Sequence, residues 1–205
     1  MFYLFVGLAI LSSVAILFFI IYPVLSKVIY KSNYKKIVGS KLYKIADKND
    51  YLLKNSMVFV CEDGTKIHIN HALFGNKYIY VFFDLYLNGA VIAEEEDNSW
   101  LYYFKEGKQT KKKFIDNALT IVDDKINKLC GFTGLDKSFF IGVVCLSKNS
   151  TINEIHYSVD THRVVMQNKI ERFIKTMESK DIPNIDQKKI VATANDLAKL
   201  SKDEE

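Results

Sequence analysis

The sequence predicts a mixed α/β (α+β) domain behind an N-terminal transmembrane helix. Three observations carry this expectation: a charge-free apolar run at residues 2–25, a series of short β-branched and aromatic runs between residues 56 and 104 set apart by turn residues, and helical periodicities on either side of a continuous apolar run at 138–147.

The first run, FYLFVGLAILSSVAILFFIIYPVL, reaches roughly 36 Å as a helix, against a hydrocarbon core of about 30 Å. A secretory signal would carry a basic segment before a shorter apolar run and a small-residue cleavage site after it, and neither is present, so a retained anchor is expected. Lys27, Lys31, Lys35 and Lys36 follow directly while nothing basic precedes. The positive-inside bias then leaves the N-terminus outside and the C-terminal domain in the cytoplasm, in a single-pass arrangement.

From 26 to 48, Val28, Ile29, Ile37, Val38, Leu42, Ile45 and Ala46 recur at helical spacing, with Gly39 inside the helix at a cost of about 1 kcal/mol relative to Ala, so a kink or a packing reason is expected there. SMVFVCE, TKIHINHALF, YIYVFFDLYL, AVIAE and SWLYYF then read as strands of an antiparallel meander, closed by DG, GN, NG, EEEDN and EGK. Phe114, Ile115, Ala118, Leu119, Val122, Ile126 and Leu129 mark one face of a helix that Gly131 terminates. SFFIGVVCLS has the pattern of a strand covered on both faces, which makes the preceding helix a crossover. IHYSV and RVVM read as short strands, NKIERFIKTM as a helix ended before Pro183, and 186–200 as an amphipathic helix before a charged tail. The organisation expected is an anchor at 1–25, a cytoplasmic domain at 26–180, and a C-terminal helix and tail at 181–205.

Composition bounds the function. The 205 residues suffice for one domain and an appendage; the net charge is +4, with Arg163 and Arg172 the sole arginines, so strong nucleic-acid affinity is not written into the overall balance. Cys61, Cys130 and Cys145 are odd in number and widely spaced, which fits reduced thiols rather than a disulfide frame or a zinc site.

With INHALFGNKYIYVFFDLYLNG at its middle, the order of elements resembles the nuclease-related (NERD) domains, of the restriction-endonuclease-like fold. The matching framework residues are Gly39, Ile69 with His71, Gly75, Tyr80 with Val81, Gly89, Trp100 and Asn117, over roughly residues 35–147. The resemblance implies an Asp, a Glu and a Lys on two neighbouring strands, holding a divalent cation and polarising water. In this chain Asn70, Phe83 and Leu85 stand at those positions, Ser40 replaces a helix Glu, and Ala118 and Ile121 replace a Pro and a Gln. A phenyl ring and an isobutyl group neither bind metal nor move protons. The expectation is therefore a degenerate site with no catalytic, cofactor-binding or metal-ligating residue, no cofactor, and a binding or scaffolding role.

Asp84 alternates to the strand face opposite Phe83 and Leu85, and is expected to be a surface or edge acid open to pairing with a lysine. Other constellations read as structural: His68 and Asn70 face away from His71; His156, Asp160 and His162 lack a nucleophile motif; Glu94, Glu95, Glu96 and Asp97 read as a solvated turn. Lys108, Lys111, Lys112 and Lys113 form a basic patch at the start of the expected helix, where they oppose its dipole and invite anionic lipid or nucleic-acid phosphate. Two further readings stand beside the leading one: an active metal-dependent nuclease using residues such as His71, Asp84 and the acidic turn, and a structural membrane protein that oligomerises through its anchor or C-terminal helix.

Overall fold

A computed structural model describes residues 18–61, 64–152 and 162–201. The expected anchor therefore lies largely outside the described residues, as do the IHYSV strand, His156, Asp160 and the end of the tail. The chain divides into two compact units, meeting at Lys35 and Lys36.

In the first unit, residues 18–32 are helical (α1), and Phe18, Phe19, Ile20, Ile21, Tyr22, Val24, Leu25, Val28 and Ile29 are all exposed on it. Among the described residues no helix is long and apolar enough to cross a membrane.

The second unit is a mixed α/β arrangement with two sheets. Its elements are α2 (Tyr34–Asn49), β1 (Leu52–Val60), β2 (Lys66–Phe74), β3 (Ile79–Leu85), β4 (Gly89–Ile92), β5 (Ser99–Glu106), β6 (Gln109–Asp116), α3 (Ala118–Thr133), β7 (Phe140–Leu146), β8 (Ser150–Ile152), β9 (Val164–Met166), α4 (Ile170–Glu178) and α5 (Gln187–Leu200). The larger sheet runs β1-β2-β3-β7-β9, with β2 antiparallel to β1 and β3, and β3, β7 and β9 parallel. Because β3 and β7 are parallel, the chain between them must cross over, and α3 supplies the crossover as its periodicity predicts. All of β7 is buried, as its unbroken apolar run requires.

Alternation gives this sheet two apolar faces. Ile67, Ile69, Ile79, Val81, Val144 and Leu146 belong to a core that also takes in Leu119, Val122, Ile126 and Leu129 of α3 and Ile190, Ala194 and Leu197 of α5. Each of these larger side chains contributes roughly 2 kcal/mol by burial. On the other face Tyr80 meets Phe173 of α4 edge to face, at 6.4 Å, and His71 lies against Gly39 of α2.

The expected meander divides. β1–β3 belong to the large sheet, while β4, β5 and β6 form a second sheet with the short β8, in the order β6-β5-β4-β8. Gly89 starts β4 with a φ of 152°, where a Cβ would strike the Tyr103 carbonyl, so glycine is required at the point where the strands part. Val91, Trp100 and Tyr102 point into the shared core.

Three expectations about the middle of the chain are corrected. Residues 109–116 form strand β6, hairpinned to β5 through Gly107 at φ 60°, so Lys111, Lys112 and Lys113 lie on a strand and not at a helix start. Phe114 is 72% exposed rather than on a core-facing helix face. The helix begins at Ala118 under an Asn117 cap and runs through Gly131 to Gly134, whose φ of 63° supplies the left-handed stop.

Candidate functional site

β2 and β3 pair with His71 opposite Phe82, and β3 continues beside β7 with Phe83, Asp84 and Leu85 next to Val144, Cys145 and Leu146. Phe83 and Leu85 thus share the face that packs on the α3 core, as alternation predicts. Lys125 of α3 sits over this spot, with its Nζ 5.1 Å from the centre of the Phe83 ring and 2.7 Å from the His68 carbonyl oxygen to which it donates. At the three positions where the resemblance implies acid, acid and lysine, the structure has an amide, a phenyl ring and an isobutyl group. Ser40 is exposed on α2, outside this set.

Asp84 is not a surface acid. Its side chain is 3% exposed; its Oδ2 lies 3.1 Å from His71 Nε2 and accepts from Asn70 Nδ2 at 3.2 Å, while Oδ1 is buried with no hydrogen-bond partner. No lysine reaches it among the described ion pairs. The reason is diagonal geometry: Asp84 stands two residues beyond Phe82 on the same side of β3, which brings it within reach of His71 across the ladder. An isolated carboxylate in an apolar layer would be prohibitive, so burial forces the pairing.

The other side of the imidazole is filled as tightly. Nδ1 lies 2.6 Å from Asn55 Oδ1, so both ring nitrogens face an oxygen. A Cβ on Gly39 would come within 2.9 Å of His71 Cε1, which is the packing reason for a glycine in the middle of α2. Opposite Asn70, Ser56 takes a φ of 51° and the β1–β2 pairing skips that position, so the backbone is strained where this cluster reaches the sheet edge. Asn55, Asn70, His71 and Asp84 form a polar cluster beneath a helix, with His71 and Asp84 buried, Asn70 half-buried and Asn55 exposed at the sheet edge. It can hold elements together; it offers no nucleophile.

The acidic turn is built into the scaffold. Asn117 is 1% exposed; its Oδ1 accepts from the Leu119 and Thr120 amides while its Nδ2 donates to the carbonyls of Glu95 and Asp97, at 3.0 and 2.6 Å. One side chain thus caps α3 and ties down the turn. Arg163 forks onto both oxygens of Asp123 and onto Glu95. Burial works against the guanidinium charge, but the bonds to Asp123 and then Glu95 outweigh it and hold its pKa above the usual value. Burial lowers the pKa of His162, whose Nδ1 accepts from the Val164 amide. His68 is exposed on β2. Among the described residues no three His, Cys, Asp or Glu side chains gather as metal ligands, and no disulfide joins Cys61, Cys130 or Cys145.

A second cluster was invisible in the sequence. Glu178 at the end of α4 accepts from Tyr80 Oη at 2.7 Å through one oxygen, and from the Asn76 and Lys77 amides at 3.0 and 3.1 Å through the other. The same carboxylate lies where a Cβ on Gly75 would sit. It borders a cleft of about 370 Å³ between α2 and α4, whose rim carries the exposed Lys48–Glu171 pair. Burial first, and then the Glu178 charge, push the Tyr80 and Tyr51 phenols up. With both Glu178 oxygens engaged, this too is a structural tie.

No family model, curated protein or solved structure matches the chain.

Proposed function

We propose that this chain is a membrane-anchored protein whose cytoplasmic part is a restriction-endonuclease-like domain of the nuclease-related kind, with its ligand positions given over to hydrocarbon, acting as a binding or scaffolding module. The observation that carries this reading is Phe83 and Leu85 packed on the α3 core, with Lys125 over the phenyl ring. Refilling that space with a hydrated cation would mean desolvating it against groups that offer no lone pairs. The order β1-β2-β3-β7-β9, with β2 reversed and the crossover helix between β3 and β7, supports the fold assignment. The apolar side chains exposed from Phe18 to Ile29 support the anchor, because a helix that is hydrophobic all round needs an apolar surrounding.

The test is a nuclease assay of the purified full-length chain on single- and double-stranded DNA with Mg²⁺ or Mn²⁺. No cleavage above a no-protein control is expected; chelator-sensitive cleavage overturns the proposal. Extraction of membranes at alkaline pH tests the anchor, since a spanning chain stays in the pellet.

One observation favours a second reading, that of an active metal-dependent nuclease: the unpartnered Oδ1 of buried Asp84 beside His71. The same assay separates the two, because cleavage that disappears in Asp84→Ala while the variant remains folded would assign the activity to that pair.

A further inference from the structure

Strand β6 is the edge of the second sheet and is exposed over nearly its whole length. Its residues alternate between two faces. Lys111, Lys113 and Ile115 lie opposite Phe104, Tyr102 and Trp100, on the side of the core; Thr110, Lys112 and Phe114 lie opposite Lys105, Tyr103 and Leu101, on the outer side. The inner aromatics are already occupied. Tyr102 and Phe104 stack on each other at 5.4 Å, and the Lys113 ammonium covers both rings at 5.9 and 5.8 Å. On the outer face, among the described residues, Leu101, Tyr103 and Ile92 are only half-buried and stand outside the core, and Phe114 is exposed opposite Leu101.

The charges select among occupants. A second copy paired edge to edge through β6 would set Lys111–Lys113 against their own counterparts, a like-charge ladder that strands avoid. A nucleic acid would need a run of free aromatic faces for successive bases, and with Tyr102 and Phe104 stacked on each other the patch offers the projecting Phe114 ring instead of such a run; it also lacks an arginine for bidentate phosphate contacts. An anionic bilayer fits what remains: a shallow apolar surface, one protruding phenyl ring, and point-charge ammonium groups beside it. We infer that the outer face of the second sheet, centred on Phe114 and flanked by Lys105 and Lys112, docks on an anionic lipid surface. This rests on the anchored-domain reading above, which keeps the face within reach of a membrane.

The experiment uses the full-length chain in nanodiscs of phosphatidylcholine alone or with one-third phosphatidylglycerol, and follows amine-reactive labelling of each lysine by mass spectrometry. In anionic discs Lys105 and Lys112 are expected to label at least about fivefold more slowly than in neutral discs, the effect of roughly one lysine–surface interaction, while Lys113, on the opposite face, changes far less. High salt reverses the difference. Lys112→Gln and Phe114→Glu each weaken the protection; Phe114 is exposed, and an unchanged thermal transition shows that the variant is folded.

Equal labelling of Lys105 and Lys112 in the two discs overturns the inference. So does protection by a single-stranded oligonucleotide in neutral discs with none from anionic lipid. Failure of the chain to co-elute with neutral discs would count against the anchor alone. The docking face is then tested on the same chain by flotation, where binding to anionic but not neutral vesicles supports it and binding to neither overturns it.

Discussion

Ile79, Val81, Phe83 and Leu85 alternate along β3 with Tyr80, Phe82 and Asp84, and the two sets are held in place by different physics. The first set is hydrocarbon against the α3 core, where any side chain of similar size serves and the contribution follows buried area. The second set carries polar tips that must be met individually: Asp84 by His71 and Asn70, Tyr80 by Glu178. One face is tolerant, the other specific. The acid of β3 therefore stabilises a contact with α2's side of the sheet and is turned away from Phe83 and Leu85, where the resemblance would want one.

The largest expected effect breaks the comparison directly. Asp84→Ala takes the carboxylate acceptor from buried His71 Nε2 and half-buried Asn70 Nδ2 and should lower unfolding free energy by about 3–4 kcal/mol, as removal of one member of a buried pair does. Phe83→Ala, at a half-buried site, should cost about 2 kcal/mol. Urea unfolding of the two variants in one detergent measures both; a larger loss for Phe83→Ala would invert the assignment of tolerant and specific faces.

At the other end of the specific face, Glu178→Ala removes the acceptor of Tyr80 Oη and of two backbone amides in the β2–β3 turn. A loss of about 2–3 kcal/mol is expected, with Glu178→Gln less than half as harmful because an amide oxygen still accepts. If the two substitutions cost the same, shape rather than charge-assisted bonding holds the turn. Smaller again is Gly39→Ala. Helix propensity favours the alanine by about 1 kcal/mol, but the methyl must displace an imidazole fixed at both nitrogens, so a net loss of about 1–2 kcal/mol should appear as a lowered Tm. A gain in Tm would mean that the His71 ring is not fixed.

How much of this was legible in the sequence follows the same division. The tolerant features were readable because they are periodic: β2, β3 and β7 by their runs, α3 and α5 by their apolar stripes, the crossover from their order. Even the rule that Asp84 faces away from Phe83 and Leu85 came from alternation alone. What Asp84 meets did not, because His71 is reached only through a diagonal contact whose register the sequence leaves open. Glu178 and Tyr80 are still further apart, 98 residues along the chain. Strand β6 was lost for another reason. Phe114 and Ile115 extend the helical stripe of α3 backwards by one turn, and nothing local says that the hairpin with β5 overrides it or that Asn117, buried and bonded to the acidic turn, fixes the helix start.

The smallest effect is silent near neutrality and sharpens the comparison through pH. Burial, reinforced by the neighbouring Glu178 carboxylate, raises the Tyr80 pKa above its ordinary value of about 10. Below that value the phenol is protonated in both folded and unfolded chains and contributes no pH dependence. As pH rises above about 10 the unfolded chain releases the proton while the folded chain retains it, so folding loses stability with increasing pH, by up to about 1.4 kcal/mol per pH unit. Tyr51, shifted the same way by burial and Glu178, adds to the slope. Tyr80→Phe should flatten the alkaline limb by its share and leave the curve below pH 9 parallel to that of the original chain, read by urea unfolding across the range. In Glu178→Gln the fall should still begin near pH ~10, where the unfolded chain ionises, because burial, the larger cause, keeps the folded phenol above that value. An alkaline limb unchanged by Tyr80→Phe would mean that this phenol ionises freely in the folded protein, and the specific face of β3 would then end at Asp84.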